Sequence, residues 1–159
     1  MRALVWIAED TWEATIAEAA ALLPADAEVT LLHVAGTEAE SVAGGARRAL
    51  LGRHPPPPPA AEPLRAISEA EAAGLLDDAA ARLGRPAARE ARRGRIEREV
   101  VAAAEHADLL VLARDGDHAR LGPRSLGPAA RFVVDHAPCR VLLVWPDVAP
   151  ALATIPPPP

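Results

Sequence analysis

Asp108-Leu-Leu-Val-Leu-Ala113 is apolar without alternation after its first residue. No other stretch constrains the fold as tightly. A strand with one wet face alternates polar and apolar side chains. A strand with no alternation is covered on both faces, as a parallel strand is inside an α/β sheet. The next residues continue the pattern. Arg114 to Leu126 is a polar loop, and Gly127 to about Asp135 reads as a helix. Pro128 suits its first turn, where a missing N–H costs nothing. His136-Ala-Pro-Cys139 makes a turn into a last apolar strand, Arg140-Val-Leu-Leu-Val-Trp145. The polar loop thus lies at the carboxyl end of a strand and ahead of a helix N-terminus. Free backbone N–H groups and the helix dipole favour anions at such a place.

The rest of the chain repeats the same unit. Ala3 to Ala8 reads as a buried strand, with Asp10 or Thr11 capping a helix that runs to about Leu23 and stops near Pro24. Val29 to Val34 is the second strand, closing a right-handed βαβ unit. Thr37 to Gly52 is weakly helical, and Pro55 to Pro59 favours an extended polyproline conformation within a Pro-rich loop at 55–63. Ser68 to Leu83 is helical, with Ile67, Ala70, Gly74 or Leu75, Ala79 and Leu83 at helical spacing, and Gly84 ends it. Pro86 to Arg93 is a charged third strand. Its arginines, with Arg85, read as edge protection rather than a nucleic-acid patch, since Glu90, Glu97 and Glu99 dilute them. Ile96 to His106 is a helix with Ile96, Val100, Ala103 and Ala107 on one face.

The expected architecture is α/β: a five-stranded parallel sheet, Rossmann-like, with strand order 3-2-1-4-5 and helices on both faces. That order puts the topological switch point between strands 1 and 4, near Ala8 and 113–127. One domain spans 1–146, and 147–159 reads as a Pro-rich disordered tail.

Composition removes several function classes. All 17 basic residues are Arg, so neither a P-loop lysine nor a Schiff-base lysine exists. The net charge of −5 argues against a nucleic-acid partner. No apolar run approaches the roughly 18 residues that span a bilayer, and nothing at Arg2 to Asp10 reads as a signal peptide. A cytoplasmic protein with no membrane partner is expected. His33, His54, His106, His118 and His136 lack ligand spacing, so no metal is expected. The single Cys139 reads as a buried thiol rather than a nucleophile. No catalytic residue is assigned.

His136-Ala-Pro-Cys139 before an aliphatic strand resembles the end of a universal stress protein domain. Glu28-Val-Thr-Leu-Leu-His-Val34 resembles that family's second strand, and the opening of the loop after Ala113 fits as well. The resemblance covers nearly the whole chain and implies an adenine nucleotide alpha hydrolase-like fold. Nucleotide-binding members carry an Asp at the end of strand 1 and a Gly-x-x-Gly-x(9)-Gly-Ser/Thr loop after strand 4. Aligned on His136 to Cys139, the strand-1 Asp falls on Ala8. The first two glycines fall on Arg114 and Asp117, the third on Gly127, and the Ser/Thr on Pro128. One of the five positions is kept. Pro128 lacks both a hydroxyl and a backbone donor, and Asp115 and Asp117 put negative charge where phosphates would lie.

The family-equivalent or neighbouring site positions are therefore Ala8, Glu9, Val34, Ala113, Arg114, Asp117, Arg124, Ser125, Gly127 and Pro128. Two functional readings are open. One is a non-catalytic regulatory or stress-response interaction module with lost or weak ATP binding and an unidentified regulatory partner. The other is a sensor for an adenine nucleotide, ATP or another, or for some other anion. It would use a rebuilt loop in which Arg114, Arg120 and Arg124 supply positive charge and Ser125 a hydroxyl. An ATP-hydrolysing enzyme is the least supported. The last strand is apolar on both faces with only Arg140 as a guard, so Val141 to Trp145 is expected to pair across a twofold axis in a homodimer.

Overall fold

The computed structural model describes residues 1–36, 61–155 and 157. The expected weak helix at 37–52 and the prolines at 55–59 lie outside the described residues. The sheet has five parallel strands, β1 (Arg2–Trp6), β2 (Glu28–Gly36), β3 (Ala88–Gly94), β4 (Leu109–Ala113) and β5 (Arg140–Val144), in the order β3-β2-β1-β4-β5. Among the described residues four helices connect them: α1 (Trp12–Leu22), α2 (Ala61–Leu83), α3 (Ile96–Ala103) and α4 (Pro128–His136).

The unbroken apolar strands explain the layering. Successive side chains of a strand point to opposite faces. Ala3, Val5 and Ile7 therefore join Val29, Leu31, Val111 and Ala113 against α1 and α2. Leu4 and Trp6 join Leu32, Val34, Leu110 and Leu112 against α3 and α4. Ile7, Leu31, Leu32, Leu110 and Leu112 are wholly buried. Cutting one of these leucines to Ala would cost about 2–5 kcal/mol.

Two local expectations need correction. Neither Asp10 nor Thr11 caps α1 through its side chain. The carbonyl of Ala8 instead accepts the N–H groups of Thr11 and Trp12 at 3.1 and 2.9 Å, so the strand end itself satisfies the helix start. On α2 the buried stripe is Ala72, Leu76, Ala79 and Leu83, while Ile67 is exposed. Helical spacing gives the right period but begins the stripe too early. Gly84 ends α2 at φ +70°, a left-handed conformation that glycine adopts without strain.

The arginines around β3 have intramolecular partners. Arg85 donates to the carbonyls of Pro24, Ala25 and Ala27, at 2.8, 3.1 and 2.6 Å, and so pins the α1–β2 connection. Arg89 pairs with Asp77, and Arg92 with Glu90 and Glu99. No described helix is long and apolar enough to cross a membrane. Past β5, Leu152–Thr154 forms a short 3-10 turn. Thr154 Oγ1 accepts the Leu121 N–H at 3.0 Å. This part of the expected disordered tail is tied to the loop before α4.

At the other end of the sheet, Asp108 Oδ2 accepts the Arg2 N–H at 2.7 Å. That bond holds the Asp108 carboxyl below its usual range, with Arg2's charge adding to the effect and partial desolvation opposing it. A lowered folded value means the contribution to stability is complete above the ordinary carboxylate pKa. It is lost as pH falls through the folded value. Acid unfolding of Asp108→Asn should therefore be less steep below about pH 4 than that of the native chain. Identical acid limbs would contradict the assignment.

Candidate functional site

The carboxyl ends of β1 and β4 open into a cleft of about 790 Å³ at the topological switch point. Ala8 and Glu9 line it from the β1 side, with Asp10 and Glu13 at the start of α1. Asp115, Gly116 and His118 line it from the loop after β4, and Asp147 from beyond β5. Trp6 and Trp12 form apolar wall. Five acidic residues are among the described residues that line this space, and no arginine is.

The loop after β4 is closed upon itself. The N–H groups of Gly116 and Asp117 donate to the carbonyls of Ser125 and Arg124, at 3.0 and 2.8 Å. Ser125 is fully buried. Its hydroxyl donates to the Gly122 carbonyl at 2.7 Å and accepts from Arg114 Nη1. Asp115 turns toward the start of α4, where its Oδ1 accepts the Gly127 N–H at 2.6 Å. A carboxylate of the chain therefore sits at the helix N-terminus, the place whose partial positive charge favours an anion. Pro128, the first residue of α4, brings no N–H.

Arg114 is an internal anchor. Its N–H donates to Val144 O at 2.9 Å. Its guanidinium lies 4.5 Å from the centroid of the Trp145 ring, within cation–π range. Arg114 Nε is buried without a partner. Arg120 pairs with Asp117 at 3.6 Å. Arg124 is exposed and enters the network through its carbonyl. The expected trio of anion-holding arginines thus has one member turned inward and one paired with a loop carboxylate.

The remaining expected positions are dispersed. Val34 and Ala113 are buried on opposite faces of the sheet. Pro128 is exposed and borders a separate surface depression with Phe132 and His136. The sequence marks Asp115 only as a repulsive charge and gives no sign of its capping role. Nor does it announce the contact between Arg114 and Trp145. The register pairs Ala113 with Val144, so the two residues that come next are neighbours. His118, its Nε2 3.0 Å from the Arg114 carbonyl and its ring edge-on to Trp145, carries no sequence signal.

Cys139 is half-buried beside the α3–α4 core. Burial pushes its thiol up, against a smaller lowering by a hydrogen bond from the Leu110 backbone. That disfavours the nucleophilic thiolate. Among the described residues no three His, Cys, Asp or Glu side chains gather as a metal site.

The universal stress protein family model matches residues 2–144. Among solved structures, the chain is similar to the universal stress protein UspA from Lactobacillus plantarum, with a TM-score of 0.59 and 21% identity over 91% of this chain and 97% of that one. It is similar to a universal stress protein in complex with cAMP, at TM-score 0.61 and 15% identity over 92% and 98% of the two chains. A universal stress protein from Archaeoglobus fulgidus aligns at TM-score 0.56 and 18% identity over 91% and 98%. At these identities the structural likeness speaks for the fold alone. None of the curated proteins matches this chain.

Proposed function

The chain belongs to the universal stress protein family, and from that premise we propose that it is a non-catalytic regulatory module in which an internal carboxylate replaces the nucleotide phosphate. The observation that carries this reading is the 2.6 Å bond from Gly127 N–H to Asp115 Oδ1. The amides of Gly116 and Asp117 are also satisfied within the loop. A phosphate placed about 4 Å from the Asp115 carboxylate would meet about 4 kcal/mol of repulsion near a protein surface. That corresponds to about three decades in Kd. An affinity that would otherwise be micromolar becomes millimolar.

The universal stress protein solved with cAMP supports the competing reading of an adenine-nucleotide sensor, since cAMP carries a single phosphate charge. Thermal denaturation with cAMP, AMP and Mg-ATP separates the two, because a ligand that binds only the native state raises its melting temperature. The interaction-module reading expects no shift with any of them below millimolar concentration. A saturable rise with cAMP alone would favour the sensor.

The module's partner surface includes a second copy of itself. Among the described residues β5 pairs with β4 on one side only, and Val141, Leu142 and Leu143 along it are half-buried. An open apolar edge pairs readily with another chain, and a twofold axis closes the assembly. Pro146, with no N–H, limits the length of such a ladder. Sedimentation at micromolar concentration should show a dimer. Truncation after Ala149 should leave it a dimer, whereas a monomeric full-length chain would refute the pairing.

A further inference from the structure

On the α1–α2 side of the sheet, beyond the ends of β1 and β2, lies a second cavity of about 510 Å³. Glu9, His33, Ser68 and Glu71 supply its polar groups, and Ala72 and Leu75 part of its apolar wall. His33 is the unusual member. It is 7% exposed, and its Nδ1 lies 2.9 Å from the carbonyl of Ile7. A carbonyl only accepts, so Nδ1 carries the proton and neutral His33 presents Nε2 as an acceptor. Nε2 has no partner among the described residues. The only sealed, unpaired side-chain nitrogen or oxygen among them is Arg114 Nε, so His33 Nε2 borders open space. His33 lines this cavity and a smaller one beside Trp6 and Ile96. The alternation of β2 puts its side chain, like that of Leu31, on the α1–α2 side where this cavity lies.

Among the described lining residues the strong groups accept hydrogen bonds, an imidazole nitrogen and two carboxylates, and of these residues' side chains Ser68 alone can also donate. No arginine is among the described lining residues. The three acceptors do not cluster as a metal site. A donor-rich organic cation fits where a metal ion or an anion does not. We infer that this cavity binds a small primary ammonium compound, with an amine N–H donated to His33 Nε2 and the positive charge balanced by Glu9 and Glu71. The apolar wall of Ala72 and Leu75 receives the ligand's methylenes.

Putrescine serves as the probe, read by calorimetry and by the His33 Nε2 nitrogen resonance of the full chain. Its hexamethylated analogue has the same charges and no N–H. Putrescine should bind saturably and shift the Nε2 resonance, and the analogue should do neither. His33→Asn keeps a donor for the Ile7 carbonyl and removes the Nε2 acceptor. Both His33→Asn and Glu71→Gln should weaken putrescine at least tenfold. Glu105→Gln, on the exposed turn after α3, should stay within twofold. If His33→Asn does not fold, Glu71→Gln and Ser68→Ala, both on α2, decide the matter. The site is overturned by absence of saturable putrescine binding, by equal binding of the methylated analogue, or by equal losses in Glu71→Gln and Glu105→Gln.

Discussion

Gly116→Ala should destabilise the protein by about 3 kcal/mol, the upper part of the range for overpacked sites. A methyl at this position would lie 2.3 Å from the carbonyl oxygen of Arg124 and 2.8 Å from the carbonyl carbon of Ser125. Both are backbone atoms, so no rotamer change relieves the clash. The two strands of the loop must part, and the hydrogen bonds that join Gly116 and Asp117 to Ser125 and Arg124 go with them. Ser125 then loses its buried setting. For a domain of this size the loss corresponds to a fall of about 9 °C in melting temperature. Urea unfolding and a thermal melt both read it. A loss below about 1 kcal/mol would mean that the loop is not closed as described.

Arg114→Ala should cost a net of about 2 kcal/mol. A hydrogen bond from a charged donor contributes about 1.5–3 kcal/mol. The guanidinium over Trp145 adds about 0.5–2 kcal/mol. Against these stands the buried Nε with no partner, a cost that the substitution removes. Arg114→Lys should recover little, because an ammonium lacks the planar fork that meets Ser125 while stacking on the indole. A double-mutant cycle with Ser125→Ala isolates the pair, and a coupling of about 1 kcal/mol or more is expected. Additive losses would show that Arg114 stabilises the loop without Ser125.

Most of the fold could be read from the sequence, for a definite reason. Strands covered on both faces need apolar residues throughout, and β4, with β1 past its first residue, carries that signature. The charged β3 could only be an edge, and it is one. Helical period was equally clear, but its phase was not. Ile67 matched the spacing on α2 and is exposed, because a period does not say where a stripe begins. The start of α1 misled for a related reason. Thr11 is a preferred capping residue, yet the Ala8 carbonyl at the strand end was already in place to satisfy the helix.

The loop was harder. The family resemblance implies that Arg114, Asp117 and Pro128 stand where a phosphate loop has other residues. It does not show what a replacement does instead. Asp115 reaches twelve residues along the chain to Gly127, and Arg114 reaches Ser125 and Trp145. Such contacts depend on how the loop folds back, which no local pattern encodes. The sheet register alone, pairing Ala113 with Val144, would have placed Arg114 beside Trp145.

If Asp115 holds the place of a nucleotide phosphate, calorimetric titration of the native chain with Mg-ATP should give no saturable heat below millimolar concentration. A dissociation constant in the low micromolar range, about −8 kcal/mol of binding free energy, would contradict it.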